Sequence, residues 1–527
     1  MRKYPVGIQS FENIRRGGYV YVDKTQLVYK MITEGCPYFL SRPRRFGKSL
    51  LVSTLQAVFE GRRELFEEIT LDGGTVQPRL FIATTGWKWE KHPVLRFDFS
   101  KCEEYTADGL KMQIDNTLSQ YEKKYGLTPY VDERSIRLEN IILAAHEQTG
   151  RGVVILVDEY DTVMLHNLEN LAKGREVREC VLGTFGQLKA LDEHLQFVFF
   201  TGISKFSQMG IFSRLNQLKD ISLRPDFETI CGVTQQELVT VLRPDLEQLS
   251  TANGLSFDQQ LAEFKRMYDG YHFSHGLTDI YNPFSLMSAL DANMLSNYWF
   301  ASGTSSSLID MLAMMPALEL QDVDGVMVDP SAFDLPVESF DDPLPLLYQS
   351  GYLTIKDFHK ERNLYKLGFP NMEVRKGFAD CLFQHATNSK QSSHWRSALL
   401  NAYYNFSDSD DLPQFIQAVK SFFAGVPYQL DNRNEHHYHA LLYTLLTAFG
   451  ADVSAEESTA QGRSDIVLRM PKAIYILEIN YDQPAEAARR QIADKGYADK
   501  YRLDSRPVIP VALCFSSETR NIVEWKT

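Results

Sequence analysis

The triplet Gly47-Lys48-Ser49 stands between a short apolar run and a stretch whose apolar residues recur at helical spacing. This order of strand, turn and helix is what a phosphate-binding loop requires. Backbone N–H groups at the start of the helix face the phosphates, the lysine adds a positive charge, and the serine hydroxyl helps to hold Mg²⁺. The usual loop also begins with a glycine, which is Arg42 here and is followed by the stiff residue Pro43. Because such triplets also occur by chance in turns, the loop alone leaves nucleotide binding open.

A second stretch points to the same chemistry. The apolar residues 153–157 run directly into Asp158 and Glu159. A continuous apolar run is typical of a parallel strand buried on both faces, and ligands bind at the carboxyl ends of such strands. We therefore expect Asp158 to hold Mg²⁺ and Glu159 to polarise an attacking water. The alternative, an ordinary strand ending in a solvated acidic turn, is weaker once both stretches are considered together.

Three further residues are candidates on position alone. Thr201 lies near the end of a buried strand predicted over 197–202. Its hydroxyl could sense a γ-phosphate or its water, although hydroxyls at strand ends are more often structural. Lys205 and Arg214, in the irregular segment that follows, could supply charge to a transition state, but a solvated surface position is the default for both.

The C-terminal part carries a second set of acids. Asp465 and Glu478 lie in two predicted neighbouring strands, where both could bind one divalent cation. Oxygen ligands suit Mg²⁺ or Mn²⁺, and such a metal can generate the nucleophilic water for phosphodiester cleavage. Acids in strands have many roles, but these belong to a helix–strand–strand–strand–helix–strand pattern over 435–515. The histidines within 436–439 do not suit a metal site, because helix positions i, i+1 and i+3 do not share one face.

The elements that must position these residues indicate an α/β protein. Strands alternate with helices through the first 225 residues, which predicts a P-loop NTPase domain built on a parallel sheet. We predict a mainly helical lid or coupling domain over 226–375 and a helical connector over 376–432. The last domain, 433–527, has the αβββαβ order.

Composition excludes several classes of protein. The chain has 527 residues, enough for two to four domains, with the apolar and charged fractions (44% and 23%) of a soluble globular protein. It has neither a run of eighteen apolar residues nor a secretory signal, so no membrane partner is expected. Six cysteines without paired spacing suggest the reducing cytoplasm. The net charge of −13 argues against a protein that coats nucleic acid, but not against a nuclease with acidic metal ligands.

Ordered motifs along nearly the whole chain resemble those of a bacterial and archaeal family of AAA-ATPase-like proteins with a C-terminal PD-(D/E)XK nuclease-like domain. The Arg42 departure from the standard loop resembles the family's own version. The motifs are Tyr21-Val22-Asp23-Lys24-Thr25, the stretch from Arg42 to Ser49, Val157-Asp158-Glu159-Tyr160-Asp161, the stretch from Thr201 to Phe206, Tyr268-Asp269-Gly270-Tyr271, Tyr281-Asn282-Pro283-Phe284, Gln349-Ser350-Gly351-Tyr352-Leu353, Gly462-Arg463-Ser464-Asp465, Glu478, Gln491 and Tyr497.

The resemblance implies ATP and Mg²⁺ as ligands of the N-terminal domain. It assigns the phosphates to Gly47-Lys48-Ser49, Mg²⁺ to Ser49 and Asp158, and water activation to Glu159. Together with the positional candidate, the residues expected to bind the nucleotide are Arg45, Phe46, Gly47, Lys48, Ser49, Leu50, Asp158 and Thr201.

In the nuclease-like part, the resemblance implies metal binding by Asp465, Glu478 and the first-helix acid Glu435. Gln491 and Tyr497 match a motif on the following helix. The family's lysine, two residues after the second acid, is replaced by Asn480. This residue of the expected catalytic set (Asp465, Glu478 and Asn480) keeps a hydrogen-bonding group but lacks the cation that orients water. Two lysines, Lys472 and Lys495, are candidate substitutes.

Three hypotheses remain open. The first is an ATP-binding protein, with ATPase activity, whose nucleotide state controls a nuclease-like domain that cleaves or binds DNA or RNA. The second is an ATP-dependent switch whose nuclease fold is a catalytically inactive binding module, because of Asn480. The third is a scaffold that merely retains both folds, motivated by Arg42 and Asn480 together. A homo-oligomeric ring would need an arginine donated in trans, and no arginine in the sequence can be singled out for it.

Overall fold

The computed structural model describes residues 2–71, 74, 76–128, 131–167, 170–205, 218–301, 318–334, 342–387, 393–425, 434–459 and 462–527. The chain divides into two compact units. The first unit comprises Met1–Ser307 and Gly325–Glu373, and the second comprises Leu308–Asp324 and Val374–Thr527. The boundaries predicted for four domains stay a prediction.

The first unit is built on a five-stranded parallel sheet, as the alternation of strands and helices predicts. Its order is β2-β3-β4-β1-β5, so all five carboxyl ends meet at one edge. Every residue of β3 is buried, which agrees with its unbroken apolar run. The strands are Tyr38–Ser41 (β1), Val94–Asp98 (β2), Val153–Asp158 (β3), Leu195–Gly202 (β4) and Lys219–Asp220 (β5).

Helices surround this sheet and continue beyond it. Several end where a glycine adopts left-handed backbone angles, as at Gly126 and Gly150. The helix after the Gly-Lys-Ser triplet is Lys48–Phe59 (α1). The other α-helices of the first unit are Phe11–Gly17, Thr25–Glu34, Ala107–Tyr125, Arg134–Thr149, Thr162–Leu165, Leu171–Phe185, Gln235–Val241, Arg243–Asn253, Phe257–Tyr268, Pro283–Ala292, Tyr298–Ala301 and Leu344–Ser350.

The middle of the chain is mainly helical but also contains strands. An antiparallel sheet has Leu364–Gly368 at its centre, between Val326–Val328 and Thr354–His359. The predicted helix, turn and strand over 346–354 form, with Gly351 at φ 89° between helix and strand. Two short strand pairs complete the first unit: Ile69–Thr70 with Val76–Gln77, and Val233–Thr234 with Ile280–Tyr281.

The second unit has a mixed five-stranded sheet flanked by helices. Only β8 and β9 are parallel, and β10 was not predicted from the sequence. The strands, in sheet order, are Asp452–Ser458 (β6), Arg463–Arg469 (β7), Ile474–Tyr481 (β8), Val508–Ser516 (β9) and Asn521–Lys526 (β10). The helices are Met372–Thr387, which begins in the first unit, Ser393–Ser409, Leu412–Gly425, Glu435–Ala448 (α2) and Ala485–Asp494 (α3).

One predicted helix of the second unit is too long. The sequence pattern extends it over 485–501, whereas α3 ends at Asp494. Gly496 adopts left-handed angles (φ 57°), and residues Tyr497–Tyr501 continue as a 3₁₀ helix. No helix in the described ranges is both long and apolar enough to cross a membrane.

Candidate nucleotide site and nuclease-like site

A cavity of about 470 Å³ opens where β1 and β3 end. Its walls include residues 44–51 from the loop and α1, together with Glu159, Thr162 and His166 from the segment after β3. Six of the predicted nucleotide-binding residues, Arg45 to Leu50, therefore line one cavity with the predicted base. The structure brings together residues that are more than a hundred positions apart in the sequence.

Lys48 is the buried positive charge of this cavity. Its ammonium donates hydrogen bonds to the carbonyls of Arg42 and Pro43 at 2.9 and 3.0 Å, so it is folded back onto its own loop. Burial lowers the pKa of Lys48, and the nearby carboxylates of Glu159, Asp161 and Asp158 oppose that shift. A phosphate in the loop would replace the two carbonyl contacts with charge-assisted hydrogen bonds.

The loop turns through two residues with left-handed backbone angles. Gly47 has φ 92°, where a side chain is strained even though a Cβ would meet nothing within 4 Å. Arg45 has φ 67°, and its guanidinium lies 4.8 Å from the centre of the Phe284 ring. Phe46 between them is buried and packs edge to face on the rings of Tyr271 and Phe273. The packing of Phe46 therefore fixes the position of the loop against the protein core.

Arg42, which replaces the first glycine of the usual loop, is a buried strut. Its guanidinium donates to the carbonyls of Ser41 and Ser222 at 2.8 Å, and to those of Phe227 and Glu228 at 3.3 and 3.4 Å. It also lies 4.1 Å from the centre of the Phe273 ring. The start of the loop is thus fixed by a segment about 180 residues later in the chain.

Asp158 lies at the end of β3 with one carboxylate oxygen without a partner. Its Oδ1 is buried and accepts no hydrogen bond within the described part of the chain, while Oδ2 is 3.5 Å from a guanidinium nitrogen of Arg96. The Ser49 side chain lies close enough to this carboxylate to lower its pKa, which opposes the effect of burial. Burial, helped by the charge of Glu159, raises the pKa of Asp158 to about 6. Arg96 and Asp98, the β2 neighbour of Asp158, were missed by the sequence analysis.

Glu159 leaves the strand with left-handed backbone angles (φ 54°), which are uncommon for a residue with a side chain. This turn puts Glu159 on the wall of the cavity, and its carboxylate accepts a hydrogen bond from the Thr162 hydroxyl at 3.1 Å. Beyond it, the rings of Tyr105 and His166 stack in parallel at 3.6 Å on the same wall. Strained backbone at such a point is typical of functional sites.

Asp161 holds the neighbouring strand end in place. Its buried carboxylate accepts hydrogen bonds from the backbone N–H groups of Ile203 and Ser204 at 2.9 and 2.6 Å, and from the Ser204 hydroxyl at 2.5 Å. A Cβ on Gly202 would lie 2.4 Å from Asp161 Oδ1, so only glycine fits there. Both residues lie within the sequence motifs given above, but neither has a role that the sequence alone indicates.

Thr201 does not reach the cavity. Its hydroxyl donates to the Leu40 carbonyl on β1 at 2.8 Å and is fully buried between the strands. The expectation that it senses a phosphate is therefore corrected to a structural role. Lys205 forms ion pairs with Asp220 and Asp334 at 3.0 and 2.9 Å. Arg214 lies outside the described residues.

In the second unit, the two strand acids predicted to bind a cation are neighbours. Glu478 Oε2 accepts a hydrogen bond from the Asp465 backbone N–H at 3.4 Å, and Asp465 Oδ2 accepts one from Ile479 at 2.7 Å. Burial raises the pKa of Glu478 to about 8, and the charges of Asp465 and Glu435 add to the rise. Across the described ranges, no three His, Cys, Asp or Glu side chains are gathered closely enough to hold a metal ion.

The helical residues of the predicted motif also reach this site. Gln491 on α3 donates to Glu478 Oε1, and Tyr497 lies close enough to Gln491 for that side chain to lower its pKa. His439 on α2 lies on the other side, with Nε2 2.9 Å from the Asp465 carbonyl. The sequence analysis considered His439 only as a metal ligand and missed this contact.

Asn480 does not substitute for a cation. Its side-chain amide is 3.5 Å from the Pro484 carbonyl, just before α3. Lys472 donates to the Asp408 carbonyl and lies near Asp410, at the opposite end of β7 and β8 from the acids. Lys495 lies nearer to the acids than Lys472 does. A Cβ built on Gly462, three residues before Asp465, would be 3.7 Å from the Lys495 side chain and 3.1 Å from the Tyr497 hydroxyl.

Comparison with known proteins agrees with both folds. Residues 5–212 match the family described as predicted AAA-ATPases, and residues 433–525 match the PD-(D/E)XK nuclease superfamily. A protein of Azotobacter chroococcum mcd 1, described as an uncharacterized protein in the vnfD 5′ region, is 34% identical over 538 residues. That match covers 99% of this chain and 98% of the relative. The chain belongs to the AAA-ATPase-like family with a PD-(D/E)XK nuclease-like domain.

The AAA-ATPase-like domain offers donors that suit Mg²⁺. Hard cations prefer oxygen ligands, and the Ser49 hydroxyl lies close to a carboxylate, Asp158, that has a buried oxygen without a partner within the described part of the chain. In the PD-(D/E)XK nuclease-like domain, Asp465 and Glu478 are adjacent, but among the described residues they and Glu435 do not form a cluster close enough to hold a metal ion. Mutual repulsion of these carboxylates is what a divalent cation would relieve.

Proposed function

We propose that the protein binds ATP with Mg²⁺ at the Gly47-Lys48-Ser49 loop and hydrolyses it. The observation that carries this proposal is the convergence of Lys48, Ser49 and Glu159 on one cavity. A loop, a strand-end acid and a cavity of suitable size meet at the carboxyl edge of the sheet, where ligands bind in open α/β folds. The family membership supports the same conclusion.

Each residue then has a defined task. The N–H groups at the start of α1 and the Lys48 ammonium hold the phosphates. Ser49 and Asp158 would hold Mg²⁺, which supplies charge neutralisation when it is bound. Glu159, turned into the cavity by its left-handed backbone, accepts a hydrogen bond from the attacking water and orients it. Thr162 fixes the Glu159 carboxylate for that role.

Equilibrium titration with a fluorescent ATP analogue in the presence of Mg²⁺ tests this proposal. Lys48→Ala should weaken binding by about tenfold or more, because it removes a buried charged hydrogen-bond donor. Lys111→Ala is a matched control. Lys111 pairs with Asp108 on the surface of the helix Ala107–Tyr125 and does not line the cavity. Equal affinity of Lys48→Ala and the wild-type protein would contradict the proposal.

We further propose that the nucleotide state controls the nuclease-like domain, which acts on nucleic acid. The adjacent acids Asp465 and Glu478, held by Gln491, support metal-dependent phosphodiester cleavage. We place this activity in the reducing cytoplasm, in agreement with six free cysteine thiols.

The second candidate is an ATP-dependent switch whose nuclease-like domain binds nucleic acid without cutting it. Asn480 favours it, because its amide faces the Pro484 carbonyl and brings no positive charge to the acids. Plasmid and single-stranded DNA and RNA, incubated with Mg²⁺ or Mn²⁺ with and without ATP, distinguish the two. Cleavage that Glu478→Ala abolishes would establish a nuclease, whereas retained binding without cleavage would establish the switch.

A further inference from the structure

Several motifs outside the phosphate-binding loop pack directly against it. Gly351 approaches Pro43 so closely that a Cβ would lie 2.5 Å from the proline Cβ. The Tyr271 hydroxyl donates to the Gly351 carbonyl at 3.2 Å, and the Tyr271 ring contacts Phe46. These residues of the middle region therefore form part of the support of the loop, although they lie 200 to 300 positions later.

The most direct of these contacts is made by Trp299. Its indole N–H donates to the carbonyl of Arg44, inside the loop, at 3.1 Å. Its ring packs against Tyr352, with the ring centres 5.4 Å apart. Any change in the direction of the Arg44 carbonyl must break or bend this hydrogen bond, which links the backbone of the loop to Trp299.

Glu373 holds Trp299 and a second cavity segment together. Its buried carboxylate accepts hydrogen bonds from the Trp299 backbone N–H and the Ser285 hydroxyl, both at 2.7 Å. Ser285 follows Phe284, which lines the cavity and whose ring lies against the guanidinium of Arg45. One carboxylate thus joins the two segments that touch Arg44 and Arg45.

Glu373 also belongs to the helix that leads into the second unit. Two residues later in Met372–Thr387, the Arg375 guanidinium donates to the Tyr443 hydroxyl at 2.5 Å and to the Val453 carbonyl at 3.1 Å. Tyr443 lies on α2, the helix that begins with Glu435, and Val453 lies on β6. Residues i and i+2 point to different sides of a helix, so its first turn serves both sets of contacts.

We propose that Glu373 and Trp299 are positioning residues for the phosphate-binding loop, and that Arg375 passes the nucleotide state of the loop to α2 of the nuclease-like domain. This inference rests on the proposed ATP binding and specifies how it regulates the second unit. The Arg44 carbonyl, Trp299 and Glu373 form the first part of the route, and Arg375 and Tyr443 form the second.

Hydrogen–deuterium exchange of the full-length protein measures the coupling between the loop and α2. Peptides covering 435–448 are followed with and without Mg²⁺ and a non-hydrolysable ATP analogue at saturating concentration. In the wild-type protein we expect the analogue to change the exchange rates at least threefold. In Arg375→Met, which keeps the apolar stem but loses both hydrogen bonds, the analogue should bind at saturation while this response is lost.

Two loop-side variants test the first part of the route. Trp299→Phe keeps an aromatic ring against Tyr352 but removes the N–H, and should weaken analogue binding about three- to tenfold, as expected for one hydrogen bond. Glu373→Gln should reduce the response in 435–448 at least threefold at saturation. If Glu373→Gln does not fold, the exchange response of Trp299→Phe in 435–448 tests the same part of the route. Glu122→Gln, another buried carboxylate of the first unit, which pairs with Arg137, is the matched control and should respond like the wild-type protein.

The outcomes separate the two proposals. If the wild-type protein does not bind the analogue, the proposed ATP binding fails and this inference fails with it. If the wild-type protein binds but exchange in 435–448 does not change, ATP binding stands and the inference is overturned. A wild-type response in Arg375→Met, or in both Trp299→Phe and Glu373→Gln, would also overturn it.

Discussion

The carboxylates of the candidate nucleotide site lie beside positive charges, whereas those of the nuclease-like site lie beside one another. Asp158 is 3.5 Å from Arg96, and the Lys48 ammonium is close enough for its pKa to respond to both Asp158 and Glu159. Asp465 and Glu478 receive hydrogen bonds from backbone N–H groups and Gln491. Within the described residues, neither forms an ion pair with a lysine or arginine.

This difference changes what each site can bind. Acids and cations together can accept a ligand that carries both signs, such as a nucleotide with its metal. Acids alone can lower their energy only by taking up a cation or a proton, and this repulsion adds to the burial that raises the pKa of Glu478 to about 8. The first site therefore combines acids with cations, while the second depends on what it takes up from solution.

Removal of the predicted base should have the largest effect at the first site. Glu159→Gln keeps the size of the side chain but cannot accept a proton, so kcat for ATP hydrolysis should fall about a hundredfold or more. ATP affinity should change less than threefold, because Lys48 and the loop remain. Steady-state phosphate release measures both effects, with the exposed residue Glu90 changed to Gln as control. Turnover within threefold of the wild-type value would remove Glu159 from the mechanism.

The second site can be given the cation it lacks. Asn480→Lys places an ammonium two residues after Glu478, and a charged hydrogen bond there should raise metal-dependent cleavage about tenfold or more. Gel assays of plasmid nicking measure the rate, and Asn480→Gln controls for side-chain length. If Asn480→Lys cleaves no faster than Asn480→Gln, lack of charge does not limit this site.

Replacement of Glu478 by glutamine should make the unfolding free energy of the second unit less dependent on pH. The folded-state pKa of Glu478 is about 8, above its ordinary value of 4.5, so folding favours the protonated acid. The unfolding free energy of the wild-type protein therefore falls as the pH rises from about 4.5 to about 8. A glutamine at position 478 does not titrate. Without metal, the unfolding free energy of Glu478→Gln, compared with that of the wild-type protein, should therefore be about 2 kcal/mol higher at pH 8.5 than at pH 5.

Urea denaturation with a chelator present, followed at both pH values, measures this gain. Glu518→Gln changes an exposed acid of the same unit and should show no such difference. Added Mg²⁺ should stabilise the wild-type protein at pH 8.5 more than it stabilises Glu478→Gln. The same pH dependence in Glu478→Gln and the wild-type protein would mean that the pKa of Glu478 is not raised in the folded state.

The smallest effect is expected for the hydroxyl that the structure withdraws from the first site. Thr201→Val removes the hydrogen bond to the Leu40 carbonyl and should cost about 1 kcal/mol of unfolding free energy. ATP affinity and turnover should stay within twofold of the wild-type values. Thermal unfolding and the binding titration measure the two quantities. A turnover loss of tenfold without loss of stability would restore Thr201 to the nucleotide site.

The parts of the fold that depend on local sequence could be predicted. The strand before the loop, the helix after Gly47 and the buried strand ending in Asp158 each follow from apolar spacing over a few residues. The helix over 485–501 was overextended because its periodicity continues through Gly496, where the backbone turns left-handed. Strand β10 was not expected at all.

Parts of the site that depend on distant partners could not be predicted. A threonine at a strand end has the same sequence signature whether its hydroxyl faces a ligand or the neighbouring strand, as Thr201 does. Nor does the sequence indicate that Arg96 approaches Asp158 from the adjacent strand, because the sheet order decides it. The nuclease-like acids were predicted because they lie on neighbouring strands, which the order of elements already indicates.

The buried position of Arg42 limits how this protein can be divided. The family match of the first domain ends at residue 212, yet Arg42 donates to carbonyls of Ser222, Phe227 and Glu228. A fragment cut at residue 212 would also lack β5 and would leave the Arg42 guanidinium with only the Ser41 carbonyl of its four acceptors. Such a fragment should therefore be a poor reagent for nucleotide studies. The compact first unit continues to Glu373, well beyond that point.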